Sequence, residues 1–272
     1  MRYTVNQRRK VETQGRARLI RSRMFETIIN NSCLESKIPD NYLLGKRCFL
    51  IGGGPSLKGF DFRILNGEIT IGVNRVFEFC NCTMNYSMDP NFSDRILQGK
   101  IDPDPNKSDE IIRKWRSYLG IKVALVPIDY KKFEPDIYLI RRNREEGIYR
   151  TLKEGIFPGN NSGFGALMLA ILLGANPIYL LGYDFDCSFK QTHFHTGYQS
   201  KSETTDEKVY HDQLTKLESF RKMFEKFAGR IRNLGISVYN LNPNSKLTCF
   251  PFKTIDDVLE KGGQYVSQGN TQ

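Results

Sequence analysis

Histidine is the residue type best suited to move a proton near neutral pH, and this chain has three: His193, His195 and His211. An unperturbed imidazole has a pKa of about 6.5 and accepts a proton without special tuning. His211 stands near the start of the longest helical pattern, residues 206–233. We predict that His211 is a general base. An ordinary surface position on a helix is the alternative.

The other two histidines form a His-x-His pattern shortly after two aspartates, Asp184 and Asp186. Imidazole and carboxylate groups together ligate metal ions. Asp184, Asp186, His193 and His195 are therefore the candidate ligands if a metal such as Mg²⁺ binds. A polar loop without a metal is the simpler interpretation, and the pattern does not firmly imply any cofactor.

A glycine-rich turn follows the apolar run 48–51 and reads Gly52-Gly53-Gly54-Pro55-Ser56. Glycines allow backbone N–H groups to approach a phosphate or ribose, and Ser56 is a good cap for a following helix. The turn lacks the Lys-Ser/Thr ending of a P-loop, and Leu57 occupies the place of a third glycine. The turn predicts a nucleotide site. A tight strand–helix connection is the alternative.

A second turn, Asn160-Asn161-Ser162-Gly163, opens an apolar helix. A helix N-terminus attracts anions or sugar hydroxyls, although simple capping explains the same residues.

Further polar residues stand at the ends of the other predicted strands. Because the carboxyl ends of parallel strands share one edge, we expect these residues to form the rim of one site: Gly53, Ser56, Asn74, Asp89, Asp184, Asn242 and Ser245.

The elements that position these residues alternate between strand and helix. Short stretches near 48–51, 69–73, 84–88, 123–126, 178–182 and 236–241 read as strands, and several of them are uniformly apolar. This alternation predicts an α/β fold, a Rossmann-like, mostly parallel sheet with helices on both faces. We assign this domain to residues 46–255, with possible lid segments at 130–158 and 186–206. A basic N-terminal arm with an amphipathic helix (1–45) and a C-terminal tail (256–272) flank it.

Composition limits the classes of protein further. The chain is 39% hydrophobic and 26% charged, which argues against wholesale disorder. It has neither a membrane-spanning apolar run nor a secretory signal, so we expect a cytoplasmic location. Residues 1–23 carry eight Arg or Lys against one Glu, which is +7 of the net +10. The charge of this arm indicates either a solvated tail or a segment that contacts a polyanion. The polyanion would be nucleic acid or anionic lipid at the periphery of a membrane.

Six short segments occur in the order found in the bacterial sialyltransferases of glycosyltransferase family 42, and the chain resembles that family over roughly residues 47–250. Gly53 stands where those enzymes have asparagine. The segments that carry the resemblance are Phe49–Leu57, Gly72–Arg75, Asn161–Gly163 with Leu173–Ala175, Ile178–Phe185, His211 before a helix, and Pro243-Asn244-Ser245.

The resemblance implies a nucleotide-sugar-dependent glycosyltransferase with a CMP- or UDP-linked donor. His211 would deprotonate an acceptor hydroxyl, and a tyrosine (Tyr183, Tyr198 or Tyr210) would assist the departing phosphate. The acceptor would be a surface glycan or a hydroxylated base in phage-type DNA. The donor would contact Gly52, Gly53, Gly54, Ser56, Asn74, Asp89, Asn161, Ser162, Gly163, Tyr183, Asp184, Asn244 and Ser245.

Two other functions remain open. The chain also resembles a wider group that includes 6-hydroxymethylpterin diphosphokinases and phage proteins. That group implies ATP and Mg²⁺, with the metal held by Asp89, Asp184 and Asp186. A non-catalytic protein that binds nucleotides or nucleic acid is the third interpretation. The sequence specifies neither the sugar nor an oligomer.

Overall fold

The computed structural model of the chain describes residues 32–102, 104–127, 136–187, 193–195 and 207–259. The charged arm 1–23, Tyr198 and most of the segment 186–206 lie outside these residues, so the predictions made for them stay predictions.

Within these ranges, seven strands form one sheet in which every neighbouring pair is parallel. The order across the sheet is β5-β4-β3-β2-β1-β6-β7. This architecture confirms the predicted Rossmann-like α/β fold. The strands are β1 (Cys48–Ile51), β2 (Thr70–Val73), β3 (Met84–Ser87), β4 (Ile121–Val126), β5 (Ile137–Arg141), β6 (Ile178–Leu181) and β7 (Val238–Asn240).

Helices cover both faces of the sheet. In the described ranges they are α1 (Phe92–Leu97), α2 (Pro105–Ser117), α3 (Ser162–Leu172), α4 (Glu207–Asn233) and α5 (Ile255–Leu259). The same ranges contain 3₁₀ turns at Leu34–Ser36, Pro55–Leu57, Phe62–Leu65 and Asn74–Glu78.

The core is split by the sheet because successive side chains of a strand point to opposite faces. In β1, Cys48 and Leu50 pack on the side of α3 and α4, whereas Phe49 and Ile51 pack on the side of α1 and α2. Helix α3 is apolar all round because it lies between the sheet and α4. Its Phe164 ring packs against Phe224, with centroids 5.2 Å apart.

The folded body begins before the predicted boundary at residue 46. Leu34, Ile38 and Leu43 are buried in the core beside α3. The Leu43 N–H also donates to the Leu173 carbonyl at 2.7 Å. The stretch 32–45 therefore belongs to the domain, because its apolar side chains cover one end of α3.

Two other predicted segments also belong partly to the domain. The stretch 130–158, predicted to be a lid, contains β5, which pairs with β4 along its whole length and forms an edge of the sheet. The predicted tail 256–272 starts inside α5, where Val258 is buried against the sheet. Across the described ranges, none of the helices combines the length and apolarity needed to cross a membrane.

Candidate active-site cleft

A cleft of about 360 Å³ lies beyond the carboxyl ends of β1 and β6. The strand order reverses between these two strands, since β2 follows on one side of β1 and β6 lies on the other. Ligands of open α/β sheets bind at such a reversal, where the connecting loops diverge. The lining residues come from five segments: Gly52–Pro55, Val73–Asn74 with Met88, Asn160–Gly163, Gly182–Asp186 with His193, and Gln213, Leu217 and Phe220 of α4.

The first and third glycines of the turn pack against the end of β6. The Gly52 N–H donates to the Leu181 carbonyl (2.8 Å), and the Gly54 N–H donates to the Gly182 carbonyl (2.9 Å). A Cβ at Gly52 would lie 2.6 Å from the Gly182 oxygen, so no larger residue fits there. The expectation that these amides cradle a phosphate is therefore corrected, because the protein backbone already uses both of them.

Gly53 lies in the middle of the turn and lines the cleft together with Gly52 and Gly54. A Cβ added at Gly53 would lie 2.9 Å from Cδ2 of His193, which also lines the cleft. The Gly53 carbonyl accepts a hydrogen bond from the Phe194 N–H at 3.1 Å. The absence of a side chain at Gly53 thus allows the His193 ring to pack directly against the turn.

The Asp184 carboxylate holds three segments together at the edge of the cleft. Oδ2 accepts from the Ser56 N–H (2.7 Å), and Oδ1 accepts from Ser56 Oγ (2.6 Å) and from Asn242 Nδ2 (2.8 Å). Asp184 is 5% exposed. Its oxygens serve the fold, so its role in this structure is to fix the glycine turn.

Two further predicted residues, Ser245 and Asn244, support the backbone near Asp184. Ser245 Oγ donates to the Tyr183 carbonyl at 2.7 Å and is buried. Asn244 is exposed, and its N–H donates to Asn242 Oδ1 at 3.0 Å. Neither residue lines the cleft.

Two residues of the cleft wall have left-handed backbone conformations without being glycine: Asn74, with φ of 54°, and Phe185, with φ of 53°. Such conformations are strained for residues with a side chain, and they concentrate at functional sites. The Asn74 carbonyl accepts from Nδ2 of the buried Asn85 at 3.0 Å. The side-chain amide of Asn74 makes no hydrogen bond with any described residue, so it is available to a ligand.

The N-terminus of α3 forms the opposite wall of the cleft. Asn161 caps the helix, because its Oδ1 accepts from the Phe164 N–H at 2.8 Å. The N–H groups of Ser162 and Gly163 have no acceptor among the described residues. Tyr183 donates its hydroxyl to the Gly163 carbonyl at 3.2 Å and is buried. This wall therefore offers N–H donors and the positive end of a helix dipole.

The two histidines of the His-x-His pattern lie beside the glycine turn. Burial, and then the Arg75 charge, lower the pKa of His193 to about 4. Burial, followed by His193 and Arg75, lowers the pKa of His195 to about 3. His195 stacks on Phe79, with ring centroids 5.8 Å apart. Both imidazoles are neutral at pH 7, and His193 is the one that lines the cleft.

The structure does not bring His211 into the cleft. Its side chain is 65% exposed, and its Nε2 lies 3.9 Å from a carboxylate oxygen of Glu207. The α4 residues that face the cleft are Gln213, Leu217 and Phe220, on a different side of the helix. His211 thus occupies the exposed helix position that was the alternative interpretation, and its catalytic role stays a prediction.

The tyrosine candidates are separated in the same way. Tyr183 lines the cleft. Tyr210 lies at the start of α4, where its hydroxyl donates to the Cys187 carbonyl at 3.4 Å, and it does not line the cleft. Tyr198 is outside the described residues. Tyr183 is therefore the candidate that the structure places at the site.

The candidate metal ligands do not converge. Within the described part of the chain, no group of three or more His, Cys, Asp or Glu side chains is placed to hold a metal ion. Asp89 forms an ion pair with Arg95 at 3.0 Å and does not line the cleft. Asp186 does line it, with Oδ1 accepting from the Cys187 N–H. The requirement for Mg²⁺ stays a question for experiment.

Several residues of the cleft wall do not emerge from the sequence. The sequence gives no role at the site to Gln213, Leu217 or Phe220. Their spacing is helical, i, i+4 and i+7, which places them on one face. That spacing is the available signal, but periodicity does not distinguish a face that meets the core from one that borders a cleft. Pro55 and Asn160 are predicted only as members of their turns. The other cleft residues for which no site role is predicted are Val73, Met88, Gly182, Phe185, Gln213, Leu217 and Phe220.

Fold and cleft together define an α/β protein with a parallel sheet and a ligand site at the reversal of strand order. The sequence matches no protein-family model and no curated protein. Among solved structures the chain is similar to a MAf glycosyltransferase from Magnetospirillum magneticum AMB-1, with 13% identity and a TM-score of 0.46. That match covers 79% of this chain and 35% of the other, so the chain spans about a third of that enzyme.

The chain is also similar to structures of one sialyltransferase. A complex of CST-II with CMP matches with 17% identity and a TM-score of 0.44, over 76% of this chain and 86% of that one. A complex of CstII from Campylobacter jejuni with the substrate analogue CMP-3FNeuAc matches with 15% identity and a TM-score of 0.39, over the same shares.

Proposed function

We propose that the protein is a nucleotide-sugar-dependent glycosyltransferase that transfers a sugar to a hydroxyl acceptor. The observation that carries the proposal is the meeting of three features in one cleft. They are the glycine turn at Gly53, the side-chain amide of Asn74, and the N–H groups of Ser162 and Gly163. The amide and the two N–H groups have no partner among the described residues. The ordered sequence motifs resembling glycosyltransferase family 42 agree with it.

The donor phosphate belongs at the N-terminus of α3 in this proposal. The N–H groups of Ser162 and Gly163 meet no acceptor in the described part of the chain, and a helix N-terminus favours negative charge. The same donors would stabilise the charge that develops on the phosphate as the sugar departs. The Tyr183 hydroxyl lies next to these groups and holds the Gly163 peptide in place.

The nucleoside belongs over Gly53, between the glycine turn and Asn74. Gly53 lines this part of the cleft without a side chain, and the Asn74 amide offers both a donor and an acceptor to a base or a ribose. CMP and UDP are the donor nucleotides to test first, because the resemblance implies them.

We propose His193 as the group that accepts the proton of the acceptor hydroxyl. Among the three histidines it is the one that lines the cleft, and its imidazole is unprotonated at neutral pH. The proposal assigns His211 no contact with substrate, since its side chain is exposed on α4. A positioned base contributes about 10²–10⁴-fold to a rate, so removing it is measurable.

The acceptor is a hydroxylated molecule, and we retain both a glycan and a modified nucleic-acid base as candidates. The decisive experiment is a thermal-shift screen against CMP, UDP, GDP and ATP, each with and without Mg²⁺. A ligand that binds only the folded state stabilises it by RT ln(1 + [L]/Kd), or about 2.7 kcal/mol at a hundredfold excess over Kd. A shift with CMP or UDP supports the proposal. A shift with ATP alone, dependent on Mg²⁺, would point to a kinase instead.

A further inference from the structure

Two cysteines, Cys80 and Cys82, lie side by side just after the 3₁₀ turn Asn74–Glu78. Their side chains share a hydrogen bond. Cys80 is half-buried, whereas Cys82 is only 2% exposed. The pair therefore combines one thiol that a small reagent can reach with a second thiol directly behind it.

The hydrogen bond makes the two thiols chemically different. The bond to Cys82 lowers the pKa of the Cys80 thiol, although burial opposes this. The same bond raises the pKa of the Cys82 thiol, and burial adds to the effect. Because the thiolate is the nucleophilic form, Cys80 is the reactive member and Cys82 stays protonated. A reachable thiol of lowered pKa beside a second cysteine is typical of redox-sensing pairs.

The other cysteines do not have these properties. Cys249 is also half-buried, but burial raises its pKa to about 12. The remaining three are buried, and burial raises the pKa of each: Cys33, Cys48 and Cys187.

Cys80 is connected to the cleft through the 3₁₀ turn. Its N–H donates to the Val76 carbonyl at 3.0 Å, and the turn that contains Val76 begins at Asn74 in the cleft wall. A displacement of Cys80 therefore reaches the Asn74 side chain through three or four residues of tightly turned backbone.

Cys82 is held more firmly. Its carbonyl accepts from the buried Tyr118 hydroxyl at 2.8 Å. Its sulfur packs on β2, where a Cβ added at Gly72 would lie 2.9 Å away. A disulfide brings two sulfur atoms to about 2.05 Å, closer than a hydrogen bond does. Because Cys82 is fixed, closing a disulfide would move Cys80.

We propose that Cys80 and Cys82 are a redox dithiol that a hydroperoxide closes to a disulfide, which weakens ligand binding in the cleft. The Cys80 thiolate attacks a peroxide oxygen, the O–O bond breaks and hydroxide leaves, so that Cys80 becomes a sulfenic acid. The Cys82 sulfur then attacks the Cys80 sulfur. The S–O bond breaks, the S–S bond forms, and the Cys82 proton leaves with the hydroxide as water. The two thiols lose two electrons, which the peroxide gains.

Mass spectrometry of the full-length protein tests the oxidation. Reduced protein is treated with hydrogen peroxide, blocked with iodoacetamide and digested with trypsin. Cleavage after Arg75 and Arg95 gives one peptide with Cys80 and Cys82 and no other cysteine. We expect this peptide to carry no alkyl group and to weigh two hydrogen atoms less than the dithiol form, and dithiothreitol should reverse the change. In Cys82→Ser, dimedone should instead trap a sulfenic acid on Cys80.

Cys249→Ser is the matched control, since it removes a half-buried thiol of raised pKa, and it should change neither reaction. Alkylation of both cysteines in the wild-type peptide after peroxide treatment would overturn the proposal. Oxidation of Cys249 as fast as that of Cys80 would also overturn it.

The effect on the cleft, which rests on the proposed function, is measured by titrating CMP and UDP into reduced and oxidised protein. The oxidised form should bind about three- to tenfold more weakly, as expected for the loss of one hydrogen bond from Asn74. Cys80→Ser should bind equally before and after peroxide. Equal affinities of the two wild-type forms would overturn the connection to the cleft. If neither nucleotide binds the reduced protein, the proposed function fails, and the mass measurement still decides the oxidation.

Discussion

Both oxygens of the Asp184 carboxylate bind Ser56, one through the backbone N–H at 2.7 Å and the other through Oγ at 2.6 Å. This pairing fixes the end of the glycine turn against the end of β6. Asp184 is predicted to bind the nucleotide-sugar donor or a metal ion. In this structure its two carboxylate oxygens hold the glycine turn in place.

Asp184→Asn should weaken both folding and nucleotide binding. An asparagine can accept only one of the two hydrogen bonds from Ser56, and its NH₂ group would face a donor. Leaving a buried donor unpaired costs about 1–3 kcal/mol, so the free energy of unfolding should fall by that amount in a urea titration. Asp256→Asn, at an exposed position of α5, is the control and should change neither quantity. Unaltered stability of Asp184→Asn would show that the turn is held by other contacts.

Gly53→Ala should reduce nucleotide affinity while leaving the core intact. The new Cβ would lie 2.9 Å from the His193 ring, so the ring must shift, and both residues line the cleft. Gly229→Ala is the matched control, because a Cβ there meets no atom within 4 Å. The control should be more stable by about 1 kcal/mol, as expected for alanine in a helix, with unchanged affinity. Equal affinities in the two variants would place the nucleotide elsewhere.

His193→Ala and His211→Ala separate the two candidate bases. If His193 accepts the acceptor's proton, its removal should lower kcat by at least about 10²-fold, while donor affinity, measured in parallel, changes little. His211→Ala should keep its rate within a few-fold, since that side chain is 65% exposed on α4. The reverse result would restore the prediction made from the sequence. It would also mean that α4 turns its His211 face toward the substrate during the reaction.

Stability should fall as the pH is lowered through the weakly acidic range. The pKa of His195 drops from 6.5 to about 3 in the folded protein, and that of His193 drops to about 4. The unfolded chain therefore binds protons below about pH 6.5 that the folded chain does not bind, which favours unfolding. Each histidine contributes a slope of up to about 1.4 kcal/mol per pH unit. Unfolding measured between pH 7 and 5 should show this slope, and His195→Gln should reduce it.

Deletion of residues 1–23 tests the role of the basic arm. The arm holds +7 of the net +10, and contacts of Lys and Arg with phosphate make binding depend on salt. The truncated protein should bind DNA or anionic vesicles with a flatter salt dependence than the full chain. Stability and nucleotide binding should not change. An unaltered salt dependence would leave the arm as a solvated tail.

The sheet was predictable from the sequence because six of its strands are short, mostly apolar stretches that end in a glycine, proline or polar residue. Strand β5 was not predicted, although Ile137-Tyr138-Leu139-Ile140 is as apolar as β6. The charged residues on both sides of it made the whole segment 130–158 resemble an insertion. The predicted boundary at residue 46 lies too late because Leu34, Ile38 and Leu43 are spaced too irregularly to show a period.

The site was predictable in outline, since the carboxyl edge of a parallel sheet gathers the residues that come after its strands. The roles of the individual residues were not. Which N–H groups of the glycine turn are paired depends on the carbonyls at the end of β6, which come much later in the chain. The packing of α4 determines which face of the helix borders the cleft. It places Gln213 at the cleft and leaves the His211 side chain exposed.

The hydrogen bonds of Asp184 also bear on the order in which the protein assembles. They join Ser56, 128 residues earlier, and Asn242, 58 residues later. Contacts between such distant positions are slow to form, because long loops must close before the contacts repay the lost entropy. During synthesis the cleft cannot be completed until residue 242 has left the ribosome. We therefore expect nucleotide affinity to appear only in the last phase of folding, so that partly folded chains do not sequester the ligand.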